Sequence, residues 1–351
     1  MIPATPDDVT AKWLAEVLGQ PVKDIEKEPI GVGVGMLGDL VRVRTGLEDP
    51  ASVVVKLPTH QPPNKALGMS YRFYEREARF FQEVAPTCRL RIPKVHHVDM
   101  DLASERFVIV LEDLSHLELG DQVAGLTVDQ AVTAVQAIAP FHAQWWESPD
   151  LTRLDWLPSA DDPITMQAAQ LYKDAWPTFV ERWAHVVPAG GIELGERVRD
   201  AYPRMLTELA RPPRTFVHTD YRLDNLFFDP DGGTVTVIDF QLCTRSSGVY
   251  DVAYLLSQSM DTQLRRDNQE TIIRAWYERL CQAGVTDYSW EQAMFDYGAS
   301  VLGCTVIAVG AGAEIELGNE RGEELVKGIA DRGFSAALDV DYDAVLARVS
   351  G

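Results

Sequence analysis

The residues whose types and spacing could carry chemistry lie in F-V-H-T-D-Y-R-L-D-N-L-F-F, from Phe216 to Phe228, and in V-T-V-I-D-F-Q, from Val235 to Gln241. Two short β-rich apolar segments frame a polar loop holding Asp220, Arg222 and Asn225, and a second carboxylate, Asp239, ends the next β run. This set suits the movement of a phosphoryl group. That reaction asks for little covalent chemistry from a protein. It needs a hydroxyl held in line, cations where charge gathers, and oxygen ligands for the metal ions that accompany phosphates. Taken singly, Asp and Asn are ordinary turn residues. Their joint spacing between two β runs carries the reading.

From His218 to Asn225 the loop reads H-x-D-x-x-x-x-N, the spacing of a kinase catalytic loop, and Asp239-Phe240 stands where the metal-binding D-F-G begins. On these motifs the chain resembles the aminoglycoside phosphotransferase and ecdysteroid-kinase group of small-molecule kinases. It looks especially like the kinase-like domains that some acyl-CoA dehydrogenases carry, where H-G-D-x-R-x-x-N is usual. The resemblance implies that Asp220 accepts or orients the acceptor's hydroxyl proton, that Arg222 neutralises the γ-phosphate of ATP, and that Asn225 and Asp239 hold Mg²⁺. His218 is expected to buttress the loop, Asp224 to cap it and Asp251 to brace it. Two departures stand out. Thr219 replaces the glycine usual after the histidine, and D-F-Q replaces D-F-G, as is common in the ecdysteroid-kinase branch. The second tilts the expected acceptor from an aminoglycoside toward a hydroxylated apolar metabolite. No activation segment ending in A-P-E is present, which argues against a protein kinase.

The elements upstream must then supply the nucleotide site. Gly33, Gly35 and Gly38 form a literal G-x-G-x-x-G. A dinucleotide fold would open a helix there, but D-L-V-R-V-R-T follows, an alternation that reads as a strand. Strand, glycine loop, strand is the kinase arrangement, with backbone N–H groups over the phosphates; a hairpin turn with no ligand is the bland alternative. Lys56 closes the β-branched run A-S-V-V-V-K-L, as the lysine of V-A-I-K does in kinases. The helix S-Y-R-F-Y-E-R-E-A-R-F-F-Q-E-V should offer it a glutamate: Glu77, since E-A-R-F-F resembles the family's E-x-x-F-Y, with Glu75 as the fallback. L-E-D-L, after the strand Phe107 to Leu111, resembles the hinge between lobes, where backbone groups of Glu112, Asp113 and Leu114 would bind adenine.

The expected fold is therefore α+β, a protein-kinase-like two-lobe fold. Residues 1–112 form a nucleotide-binding lobe of five strands and one main helix, and residues 113–351 form a helical catalytic and substrate lobe. Helices are expected over Thr127 to Trp146, Met166 to His185, Leu194 to Leu209, Gly248 to Leu256, Thr262 to Ala283, Trp290 to Val309 and Glu314 to Arg332, with Asp341 to Val349 closing the chain. With 351 residues, 46% of them hydrophobic, the chain is large enough for two packed parts. A net charge of −21 argues against nucleic acid and against an anionic membrane surface as partners. Four cysteines without C-x-x-C spacing suggest neither zinc nor a disulfide framework and fit a cytoplasmic setting; Cys243, just after D-F-Q, either lines the site or is a buried filler. The apolar run Tyr297 to Ala313 falls short of the ~20 residues of a membrane span. The expected partner is a small hydroxylated molecule, met either by an aromatic wall (Trp145, Trp146, Trp156, Trp176, Trp183, Trp276) or by an acidic one (Glu314, Glu316, Glu320, Glu323, Glu324), unless these are simply core and solvated face. Oligomeric state is left open. The rival readings are a nucleotide-binding pseudokinase and a dinucleotide-dependent oxidoreductase.

Overall fold

The computed structural model describes residues 1–31, 37–315 and 318–350. They divide into two compact units, Met1–Glu118 with Thr236–Leu242, and Leu119–Val235 with Cys243–Gly351. This differs from a single cut at residue 112. The stretch bearing Asp239 belongs with the first unit because the Val237 N–H donates to the Arg91 carbonyl (3.0 Å) and the Phe240 ring stacks on Phe80 with centroids 3.6 Å apart.

The first unit is built on an antiparallel sheet. Its strands are β1 (Glu26–Ile30), β2 (Gly38–Arg44), β3 (Ser52–Pro58), β4 (Val95–Asp101) and β5 (Arg106–Glu112), in the order β1-β2-β3-β5-β4. Alternation decides which face each residue serves. Val53, Val55 and Leu57 of β3 join Val41 and Val43 of β2 and Val108 and Val110 of β5 in a buried cluster. Helix α1 (Ala11–Leu18) places Leu14 in that cluster. Lys56 lies between two members of this set, so its side chain leaves on the opposite face. Its register there is fixed by Leu40 on one side and Ile109 on the other. After α2 (Pro62–Ser70), helix α3 (Phe73–Arg79) runs on into a π-type turn over Phe80–Val84. The single helix expected over 70–84 is thus two geometries in succession. The widened turn brings Phe80 and Phe81 against Phe240.

The second unit is mainly helical. It contains α4 (Val128–Trp145), α5 (Pro163–Trp183), α6 (Gly191–Leu209), α7 (Val249–Ser259), α8 (Thr262–Gln282), α9 (Trp290–Glu314), α10 (Glu320–Asp339) and α11 (Tyr342–Ser350). Thr127 caps α4 through a reciprocal pair with Gln130, which satisfies N–H groups the first turn would otherwise leave open. Short strands Thr215–Val217 and Thr244–Ser246 pair antiparallel and lead into and away from the polar loops.

The tryptophans belong to this unit's core. Trp145, Trp156, Trp176, Trp183 and Trp276 are all buried, and Trp146 is half-buried. Trp176 stacks on Phe179, Phe179 on Phe334, and Trp183 Nε1 donates to the Gly312 carbonyl (2.8 Å). Gly312 is needed for that approach, since a Cβ there would lie 2.7 Å from the Phe179 ring. Of the acidic set, Glu314, Glu320 and Glu324 are exposed, Glu323 is half-buried and Glu316 lies outside the described residues. Helix α9 is longer than the apolar run suggested. It is long and apolar enough to cross a membrane by length and composition alone, but most of it is buried inside this unit.

The Phe80–Phe240 stack should be the main packing anchor of the Asp239 segment, as both rings are fully buried. Phe80→Ala is expected to cost about 3–5 kcal/mol in urea unfolding. A loss below about 1 kcal/mol would show that the segment is held by other contacts.

Candidate functional site

Lys56 is the centre of the first unit's polar cluster. Its Nζ donates to Glu77 Oε1 (2.8 Å) and to Asp239 Oδ1 (3.0 Å). Only 10% of the Lys56 side chain and 2% of the Glu77 side chain are exposed. The ambiguity over the glutamate is resolved by helix geometry: Glu77 turns inward to Lys56, while Glu75 is held by Arg72 Nε (2.8 Å) and Nη2 (3.0 Å). Burial works against the Lys56 ammonium, but Asp239 and then Glu77 outweigh it, so its pKa lies above the usual lysine value. Burial pushes the Glu77 carboxyl up, to about 7, against the pull of Lys56.

Asp239 sits at φ +68°, left-handed backbone that a non-glycine residue adopts at a cost. Its second oxygen accepts from Gln241 Nε2 (3.3 Å), which gives the glutamine of D-F-Q a part in holding the carboxylate. Gly38 lies beside this cluster; a Cβ there would come within 3.2 Å of Lys56 Cε. Gly33 and Gly35 lie outside the described residues.

The hinge segment is more committed than the sequence suggested. The Glu112 N–H donates to the Lys94 carbonyl (2.8 Å), and the Glu112 carboxylate accepts from the Lys94 N–H (3.0 Å). The Asp113 carboxylate accepts from Arg42 Nε (2.9 Å), Ser52 Oγ (2.6 Å) and the Ser115 N–H (3.1 Å). With only 5% of that side chain exposed, Asp113 is a tie within the sheet. Leu114 is buried beside it.

In the second unit the residues of the polar loop converge on Asp220. Asn225 Nδ2 donates to Asp220 Oδ2 (2.8 Å) and to the Asp220 carbonyl (2.9 Å), Tyr254 Oη donates to Asp220 Oδ1 (2.9 Å), and Arg222 Nε approaches Oδ1 at 3.3 Å. Arg222 is also tied to Asp224 Oδ2 (3.0 Å) and Gln122 Oε1 (3.1 Å), and Asp224 Oδ1 accepts the Gln122 N–H (2.7 Å). His218 is fully buried and its Nδ1 accepts the Asp220 N–H (3.2 Å), a buttressing position. Cys243 is fully buried, the filler alternative.

Beneath the loop, Asp251 accepts the N–H groups of His218 (2.9 Å) and Thr219 (2.8 Å) and contacts His142 Nε2 (3.1 Å). Trp276 Nε1 lies 3.1 Å from His142 Nδ1. An indole N–H can only donate, so His142 Nδ1 accepts and its Nε2–H donates to Asp251. Thr219 has φ +69°, which explains why a glycine is at home there, and its hydroxyl meets Thr244 Oγ1 at 2.8 Å.

Sequence reasoning missed Tyr254, Gln122, Gln241 and the Trp276–His142 link. Tyr254 was within reach. It lies three residues after Asp251 in α7, hence on the same helix face. Gln241 was local as well, two residues after Asp239. Gln122 and the Trp276–His142 link depend on long-range packing that carries no local pattern.

Within the second unit, Asn225 has spent its amide nitrogen on Asp220, which leaves its carbonyl oxygen as its hard donor. Within the first unit, the Asp239 carboxylate is a hard donor that is partly exposed.

Comparison with known proteins follows from this geometry. The family model described as the phosphotransferase enzyme family matches residues 35–293. A search of curated proteins finds no match. Among solved structures, a GDP and kanamycin complex of APH(2")-IIia is 14% identical with a TM-score of 0.56, covering 94% of this chain and 100% of that one. The choline kinase of Cryptosporidium parvum is 12% identical with a TM-score of 0.53, covering 93% and 91%. The macrolide 2'-phosphotransferase MphH of Brachybacterium faecium is 14% identical with a TM-score of 0.51, covering 96% and 98%. At these identities the likeness is one of fold.

The buried pair yields a pH test. Lys56→Met strands the Glu77 carboxyl, whose pKa in the folded state then rises further above its unfolded value. A raised folded pKa gives stability that is present at low pH and lost as pH rises through it. The gap in stability between wild type and Lys56→Met should therefore be small at pH 5 and widen to about 3–5 kcal/mol by pH 9. Urea titrations at both pH values measure it; a gap that does not change with pH would mean Glu77 is not stranded.

Proposed function

The chain belongs to the phosphotransferase enzyme family, and from that premise we propose that it transfers the γ-phosphoryl group of ATP to a hydroxyl of a small molecule with Mg²⁺ present. The observation that carries the proposal is the Lys56 ammonium, buried and held between Glu77 and Asp239. A lysine at a strand end is ordinarily solvated. One fixed by two carboxylates is positioned to meet phosphate oxygens.

In this reading Lys56 binds the α- and β-phosphates, and Glu77 keeps it aimed. Backbone groups of the Glu112 to Leu114 segment not already paired read the adenine edge. Gly38, beside Lys56, brings main chain close to the phosphates. Asp220 orients the acceptor's hydroxyl and takes its proton. Arg222, fixed by Asp220, Asp224 and Gln122, supplies positive charge near the transferring group. Asn225 and Asp239 are the residues that the family resemblance assigns to the metal, each an oxygen donor of the kind Mg²⁺ takes, and the metal would neutralise charge on the phosphate oxygens.

The fold shared with proteins named for aminoglycosides, macrolides and choline supports a small hydroxylated acceptor. The burial of the tryptophans removes the argument for an aromatic wall of these residues, and so one argument for a flat ring-bearing acceptor.

The test is ADP release from Mg²⁺-ATP, with pooled aminoglycosides, amino alcohols, sugars and hydroxysteroids as acceptors. Wild type should respond to one pool, and chelation of the metal should silence it. Asp220→Asn should lower kcat by roughly 10²- to 10⁴-fold with nucleotide affinity unchanged. ATP binding without transfer to any pool would favour a nucleotide-binding regulator, and absence of ATP binding would end the proposal.

A further inference from the structure

Asp220 makes more contacts than taking a proton alone would require. A carboxylate offers about four lone-pair positions. Oδ1 takes the Tyr254 hydroxyl at 2.9 Å and faces Arg222 Nε at 3.3 Å. Oδ2 takes Asn225 Nδ2 at 2.8 Å. Among the described residues this leaves Oδ2 with the open position.

We propose that Tyr254 is a positioning residue for phosphoryl transfer: by donating to Oδ1 of Asp220 from α7, on the oxygen that also faces Arg222, it fixes the carboxylate plane and leaves Oδ2 as the oxygen that receives the acceptor's hydroxyl. The inference rests on the phosphotransferase reading of the site. Tyr254 acts through Asp220 and does not itself touch the acceptor.

Three features of the structure support it. Tyr254 is buried, with 2% exposure, and Asp220 with 7%, so their hydrogen bond is sheltered from competing water. Tyr254 stands one helical turn from Asp251, whose carboxylate holds the amides of His218 and Thr219. One rigid helix therefore sets both the backbone of the loop and the plane of its acidic side chain. Burial, and then the Asp220 charge, push the Tyr254 phenol well above its usual range, so it remains a donor throughout working conditions.

The transfer step then balances simply. The acceptor oxygen forms a bond to the γ-phosphorus as the bond from that phosphorus to the β–γ bridging oxygen breaks. The acceptor's proton passes to Asp220 Oδ2, and ADP leaves with the bridging oxygen.

The experiment is a double-mutant cycle between Tyr254→Phe and Asp220→Asn, with turnover, KM for acceptor, ATP affinity and melting temperature measured on each protein. Tyr254→Phe alone should lower kcat by roughly 10- to 100-fold, the scale of a misaligned reacting group, with KM and ATP affinity near wild type. In the Asp220→Asn background it should change residual single-turnover transfer by less than about twofold, since effects routed through one group do not add. Should Tyr254→Phe fail to fold, p-aminophenylalanine at position 254 keeps the ring and an N–H donor, and it should retain most of the wild-type kcat.

Unaltered kcat in Tyr254→Phe, an equal loss in both backgrounds, or a folded p-aminophenylalanine protein as slow as Asp220→Asn would overturn the positioning role while leaving the phosphotransferase reading intact. A wild type that transfers to no acceptor overturns both.

Discussion

A carboxylate with no exposure to water must be surrounded by donors, and Asp251 is such a group. Two of its donors are main-chain N–H groups of the loop that carries Asp220, and a third is the imidazole of His142. The cost of leaving that charge unsatisfied ties the conformation of residues 218–220 to the packing of α4, α7 and α8. The Trp276 indole sets which nitrogen of His142 carries the proton, so the chain of dependence runs from helix core to loop backbone without a gap.

The first unit solves a similar problem with charges of both signs. Lys56 would be expensive in the face of a sheet by itself, and Glu77 equally so in a buried turn of α3. Together with Asp239 they offset one another. The arrangement also explains why Thr236–Leu242 packs with this unit. The stacked Phe240 and the Lys56–Asp239 contact fix adjacent residues of one short segment from two directions.

How much of this was legible depended on how local the cause was. β3 showed itself through β-branched residues and a single lysine, and α4 through a capping threonine and its periodic face. The five-stranded sheet followed from alternation and turns. The choice between Glu75 and Glu77 was less accessible, because both lie on one helix and only their partners in the fold, Arg72 and Lys56, distinguish them. Asp113 had the form of a hinge carboxylate, yet it is claimed by Arg42 and Ser52, residues 71 and 61 positions away. The tryptophans were ambiguous for the same reason: composition marks an aromatic residue, but only the packing of α5 against α9 tells a core indole from a binding wall. Asp220, Asn225 and Asp239 stood out because their spacing is a property of short loops, whereas Gln122 and Trp276 reach the second unit's network from segments distant in sequence.

Thr219 carries a consequence for how such a loop can drift over generations. It occupies left-handed backbone that costs a β-branched residue about 1–2 kcal/mol relative to glycine, and it regains part of that through the hydroxyl of Thr244. The two threonines thus form a linked pair. A lineage that places glycine at position 219 releases position 244 from selection for a hydroxyl, and one that first loses the hydroxyl at 244 makes glycine at 219 the favoured next step. The threonine at 219 is therefore a two-site character, whose history should be traced at positions 219 and 244 together.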